Sequence, residues 1–160
     1  MSKIKSIINS DDSVIAFDVD GVLAVMEFSE YNHFLTDEEW DKFVLEDVNV
    51  YTDDKVSFKM RDFISKRNLD NIYVITKVNG KNEINHKIKF LTKNYGIYED
   101  HIYTVSSDDD KKIKLLEISN KYPDLDHKKI VMVDDTHTVL SDIMYNTDFT
   151  TAHISTFLDI

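Results

Sequence analysis

Five short apolar runs punctuate the chain: Val14–Phe17, Ile72–Ile75, Ile102–Val105, Ile130–Val133 and Phe149–Ile154. Four are rich in Val, Ile and Tyr and bounded by polar residues, the composition of buried strands; the fifth is mixed. Between them, apolar residues recur at helical spacing. Thr36-Asp37-Glu38-Glu39 has the form of a capping box, a hydroxyl acceptor at the N-cap and a glutamate three residues on, and Trp40, Phe43 and Val44 follow it. Val56, Met60, Phe63 and Ile64 form a second stripe. Ile84, Ile88, Leu91 and Tyr95 form a third, which Gly96 is placed to end. Ile113, Leu115 and Leu116 form a fourth, with Pro123 beyond it, and a last short helix is predicted over Val139–Tyr145.

Alternating strands and helices predict an α/β fold: a Rossmann-like parallel sheet of about five strands with helices on both faces. The whole chain, 1–160, reads as a single domain with a small insert after the first strand, about 24–54. That insert is too short for a domain with its own core and predicts a hairpin flap with one or two short helices.

Ligands of such sheets sit at the carboxyl ends of the strands, so the residues found there carry the chemistry. Asp18, Asp20 and Gly21 follow the first run, Thr76 and Lys77 the second, and Asp134 and Asp135 the fourth. After the third comes Ser106-Ser107-Asp108-Asp109-Asp110, a solvated loop and helix start, then Lys111 and Lys112. Carboxylates gathered in one crevice repel unless a cation lies among them. An all-oxygen ligand set suits Mg²⁺, which often binds phosphate as well. Thr76 offers a hydroxyl to a phosphate, a lysine offers a point charge, and Gly21 allows close backbone approach. Taken singly, each of these residues also reads as an ordinary turn, cap or strand residue.

The ordered set resembles the motifs of the haloacid dehalogenase superfamily of phosphotransferases. Asp18-Val19-Asp20-Gly21-Val22-Leu23 is similar to its first motif, Thr76 to its second, the basic helix start to its third, and Asp134-Asp135 to the double-aspartate form of its fourth. The resemblance implies that Asp18 is a nucleophile forming an aspartyl-phosphate and Asp20 a general acid, then base. It implies that Thr76 and a lysine hold the phosphoryl group. Asp18, the backbone carbonyl of Asp20 and Asp134 would ligate Mg²⁺, with Asp135 doing so directly or through water. The family's helix pattern favours Lys112 over Lys111 as the phosphate-binding lysine, because Ile113, Leu115 and Leu116 then fall one, three and four residues on.

The expected activity is a Mg²⁺-dependent phosphatase acting on a small phosphomonoester, a nucleotide among the candidates. Two rivals are an inert relative that binds phosphate or a partner, and a receiver-like phosphoacceptor domain. The receiver's order of acids, Thr and Lys differs from the order here.

Composition narrows the picture. A formal net charge of -11 disfavours long nucleic acids as partners. Arg61 and Arg67 are the only arginines, so phosphate clamps of several arginines are absent. The chain has no cysteine, which excludes thiolate and disulfide chemistry. With no long apolar run to span a membrane, the expectation is a soluble cytoplasmic protein binding a small phosphorylated substrate, its open site a candidate for closure by a second copy. The six histidines show no metal-binding spacing.

Overall fold

The computed structural model describes residues 2–25 and 37–159. Helix α1 (Lys3–Ile8) leads into strand β1 (Val14–Phe17). Then come α2 (Asp37–Leu45), α3 (Phe58–Ser65), β2 (Ile72–Lys77), α4 (Lys81–Tyr95) and β3 (Ile102–Val105). The chain continues through α5 (Lys111–Ser119), β4 (Ile130–Asp134), α6 (His137–Asn146) and β5 (Thr150–His153). The five strands pair in the order β3-β2-β1-β4-β5, every neighbour parallel. Each expected strand is present within two residues of its expected ends.

Strand side chains alternate between two cores because successive residues face opposite sides of a sheet. Ile15, Phe17, Ile72, Val74, Val131 and Val133 pack on one side with Met60, Phe63 and Ile64 of α3 and Phe90, Leu91 and Tyr95 of α4. Val14, Ala16, Tyr73, Ile75, Ile130 and Met132 pack on the other with Leu115 and Ile118 of α5 and Val139 and Ile143 of α6. Near-continuous apolar strands are what a sheet covered on both faces requires.

Helix ends follow local chemistry. Ser57 caps α3 by accepting the Met60 N–H, and Gly96 closes α4 in the left-handed conformation at φ 69°. α1, which had no strong sequence signal, is held from outside: the Arg67 guanidinium donates to the carbonyls of Ile8 and Ser10. In the insert, Trp40 of α2 packs against the first core. The expected flap and Thr36 of the capping box lie outside the described residues. No helix among the described residues is long and apolar enough to cross a membrane.

From β1 the chain moves outward to β2 and β3, then returns to the other side of β1 for β4 and β5. The order therefore reverses between β1 and β4, and a crevice opens outside their carboxyl ends.

Candidate functional site

Asp18 follows β1 directly, and its N–H donates to the Val133 carbonyl (2.9 Å), which keeps it in line with β4. Asp134 is the last residue of β4, and Thr76 lies near the end of β2. Because β4 and β2 flank β1, register sets Asp18 opposite Asp134, and Thr76 stands one residue beyond the β2 position opposite Asp18. Oxygens of Asp18, Asp134 and Asp135 come within 4.8 Å of one another.

Lys111 sits inside this acidic cluster. Its Nζ lies 3.0 Å from Asp18 Oδ2, 2.8 Å from Asp134 Oδ2 and 3.2 Å from Asp108 Oδ1. Lys112, the lysine expected there, turns instead to Asp142 of α6, with Nζ 2.8 Å from Oδ2. The reason is the face that α5 buries. Lys111, Leu115, Ile118 and Ser119 form its inward face, whereas Ile113 and Leu116 are about half exposed, at 50% and 46%. Lys111 shares the helix face of Leu115 and Ile118 at spacings of four and seven, and Lys112 does not.

The remaining carboxylate oxygens are held by backbone. Asp18 Oδ1 accepts the Val19 N–H at 2.8 Å, and Asp134 Oδ1 accepts the Thr136 N–H at 2.8 Å. Burial pushes the Asp18 carboxyl up to about 7, with Asp134 and Asp20 adding to the rise and Lys111 opposing it. Burial and Asp134 also raise Asp135. Burial works against charge on Lys111, yet Asp18 and Asp134 hold it above the ordinary lysine range. Three carboxylates against one ammonium leave an excess of negative charge. The donors are hard oxygens, so the set fits Mg²⁺.

Gly21 makes room for this cluster. It stands at φ 73°, and a β-carbon built on it would come within 2.2 Å of Asp135 Oδ2. The sequence reading gave Gly21 a phosphate to approach; in the structure its closest neighbour is the Asp135 carboxylate.

A second cluster holds Asp20. Lys87 of α4 is fully buried, and its Nζ lies 2.7 Å from Asp20 Oδ2, 3.0 Å from Thr76 Oγ1, 2.6 Å from the Lys77 carbonyl and 2.9 Å from Glu83 Oε1. The Tyr51 hydroxyl, from the insert, lies 2.9 Å from Asp20 Oδ1 and 3.1 Å from Glu83 Oε1. Burial opposes charge on Lys87, but Asp20 and Glu83 raise its pKa. Burial, reinforced by both carboxylates, keeps the Tyr51 phenol protonated.

None of Tyr51, Glu83 and Lys87 was singled out from sequence. The apolar stripe of α4 placed Ile84 and Ile88 inward. Leu91 and Tyr95 of that stripe are buried, but in the first half of the helix Glu83 and Lys87 take the buried face and Ile84 and Ile88 are only half-buried. A Glu four residues before a Lys is the one local signal of such a pair, and the same spacing is common on solvated helix faces.

On the other flank, His153 Nε2 lies 3.2 Å from the Asp135 carbonyl oxygen, and its ring stacks on that of His137 at 5.0 Å. Beside Lys77 opens a cavity of about 730 Å³, with Asp41, Leu45, Asn79, Lys81 and Ser106 in its wall.

No family model matches this chain, and no curated protein does. Among solved structures, the structure of DsGPDH of Dunaliella salina superposes with a TM-score of 0.60 at 14% identity, over 96% of this chain and 25% of that one. The chain thus spans about a quarter of that protein's length. The structure of the HAD domain of effector protein Lem4 from Legionella pneumophila gives a TM-score of 0.47 at 15% identity, over 88% of this chain and 84% of that one. At 14% identity the Dunaliella likeness is one of fold, the five-stranded parallel α/β sheet.

Proposed function

We propose that this chain is a Mg²⁺-dependent phosphohydrolase of the haloacid dehalogenase type, cleaving a small phosphomonoester through an aspartyl-phosphate on Asp18. The observation that carries the reading is the convergence of Asp18, Asp134, Asp135 and Lys111 at the switch point, with Asp20 and Thr76 alongside. A resemblance spread over four separated motifs thereby becomes one crevice.

In this reading Asp18 attacks phosphorus, and an Asp18 Oδ–P bond forms as the bond to the leaving oxygen breaks. Asp20 gives its proton to that oxygen. Asp20 then takes a proton from water as the water oxygen attacks phosphorus. The Oδ–P bond breaks, inorganic phosphate leaves and Asp18 is restored. Lys111 replaces Lys112 as the cation beside the transferring group, and Thr76 offers its hydroxyl to a phosphoryl oxygen. Asp18, Asp134, Asp135 and the Asp20 carbonyl would hold Mg²⁺, which supplies positive charge for the phosphoryl oxygens. The cavity beside Lys77 receives the leaving group, and the acidic surface favours a small substrate over a polynucleotide.

A panel of phosphomonoesters covering nucleotides, sugar phosphates and phospho-amino acids, assayed with and without Mg²⁺, tests this. Sustained turnover that needs Mg²⁺ and vanishes in Asp18→Asn is expected. Phosphate binding without turnover, single-equivalent labelling, or an active Asp18→Asn protein would overturn it.

A further inference from the structure

The ammonium of Lys87 has three N–H bonds and faces four acceptors, on Asp20, Thr76, Lys77 and Glu83. None of its protons is left for a ligand, so Lys87 does not act as a phosphate grip. Its partners are themselves committed. Glu83 is 4% exposed; Oε1 faces Lys87 and Tyr51, and Oε2 accepts the Asn79 N–H at 2.8 Å. Tyr51 is 5% exposed, packs its ring on that of Phe90 and presents its hydroxyl to Asp20. Burying this many polar groups is costly unless each is bonded, and here each is.

The target of this network is one carboxylate. Asp20 Oδ2 accepts from Lys87, and Oδ1 shares the single Tyr51 hydroxyl proton with Glu83 Oε1, so both Asp20 oxygens have a donor within reach. Its side chain is still 36% exposed. Each oxygen keeps a second lone pair free to face a substrate.

We infer that Tyr51, Glu83 and Lys87 are positioning residues that hold the Asp20 carboxyl where it meets the leaving oxygen of the substrate. The inference rests on the proposed phosphohydrolase reading, in which Asp20 is the proton donor. The clamp joins three parts of the fold: the insert through Tyr51, α4 through Glu83 and Lys87, and the end of β2 through Thr76. Through Tyr51 the insert thereby completes the proton-transfer geometry.

A positioning role has a signature that a purely structural one lacks. Proton donation matters when the leaving oxygen is strongly basic and matters little when it departs readily as an anion. Wild type, Tyr51→Phe and Glu83→Gln are to be assayed on benzyl phosphate, a poor leaving group, and on dinitrophenyl phosphate, a good one. Lys87→Met, which strands two carboxylates, is secondary because it risks unfolding.

Tyr51→Phe is expected to lower kcat/KM on benzyl phosphate, which reports the step that expels the leaving oxygen, by on the order of tenfold or more. On dinitrophenyl phosphate kcat/KM should stay within about twofold, whereas kcat falls there as well, because the water attack that limits it also uses Asp20. In an Asp20→Ala background the same substitution should have no further effect. Equal losses of kcat/KM on both substrates, no loss in either variant, or a full additional loss in the Asp20→Ala background would overturn the clamp alone. A wild type that turns over neither ester would remove the phosphohydrolase reading and the clamp with it.

Discussion

Gly21 and Asp135 occupy space that only one side chain can fill: a β-carbon on Gly21 would stand 2.2 Å from Asp135 Oδ2. Gly21→Ala must therefore displace the Asp135 carboxylate, at a residue whose φ of 73° already disfavours any β-carbon. The expected result is a protein destabilised by about 1–3 kcal/mol in denaturant unfolding, with weakened Mg²⁺ binding by calorimetry. Combining it with Asp135→Ala should remove the steric share of the destabilisation and leave the backbone share. Unchanged Mg²⁺ affinity in the single variant would contradict this account.

Two adjacent lysines should behave differently. Lys111 touches Asp18 and Asp134 in the buried cluster, and Lys112 touches Asp142 at the surface. Lys111→Ala should lower kcat/KM by on the order of a hundredfold, the cost of losing one charge-stabilising group. Lys112→Ala should leave it within about twofold, since its half-buried pair with Asp142 lies outside the acidic cluster. Steady-state kinetics on one responsive phosphomonoester separates them, and the reverse order would restore Lys112 to the role.

At the proposed site Mg²⁺ would compete with protons. Burial lifts Asp18 to about 7 in the folded chain, whereas an unfolded aspartate titrates near ~4. The folded chain thus holds the extra proton between about pH 4 and 7. Its contribution to stability is complete below that window, declines as pH rises through it and is gone above it. Mg²⁺ meets an ionised Asp18 at pH 8 and must displace a proton at pH 6. Saturating Mg²⁺ should therefore raise Tm more at pH 8 than at pH 6, and Asp18→Asn should shrink the difference. Thermal melts at both pH values decide it, and equal shifts would place the bound cation away from Asp18.

Much of this was legible in the residue order. A strand covered on both faces must be apolar throughout, and Val14–Phe17, Ile72–Ile75 and Ile130–Val133 are. Their alternation with helical stripes leaves few architectures besides a parallel α/β sheet. Ligand chemistry in such a sheet collects at strand ends, so Asp18, Thr76, Asp134 and Asp135 could be named as one set from their positions alone. The register of β1 with β4 sets Asp18 opposite Asp134, and that with β2 brings Thr76 within one residue of the same level.

What only the tertiary structure decided is which charged residues of α4 and α5 turn inward. Periodicity locates a helix and its apolar stripe, but it treats every charge as outward. Burial reverses that wherever charges satisfy one another. Lys111 turns inward because Asp18 and Asp134 await it, and Glu83 and Lys87 turn inward because they pair with each other and with Asp20. A one-residue step around a helix is a rotation of about 100°. That step separates Lys111 from Lys112 and the Glu83–Lys87 pair from Ile84 and Ile88, and the carboxylates that draw the lysines inward, Asp18, Asp20 and Asp134, lie more than twenty residues away, where no local pattern reaches.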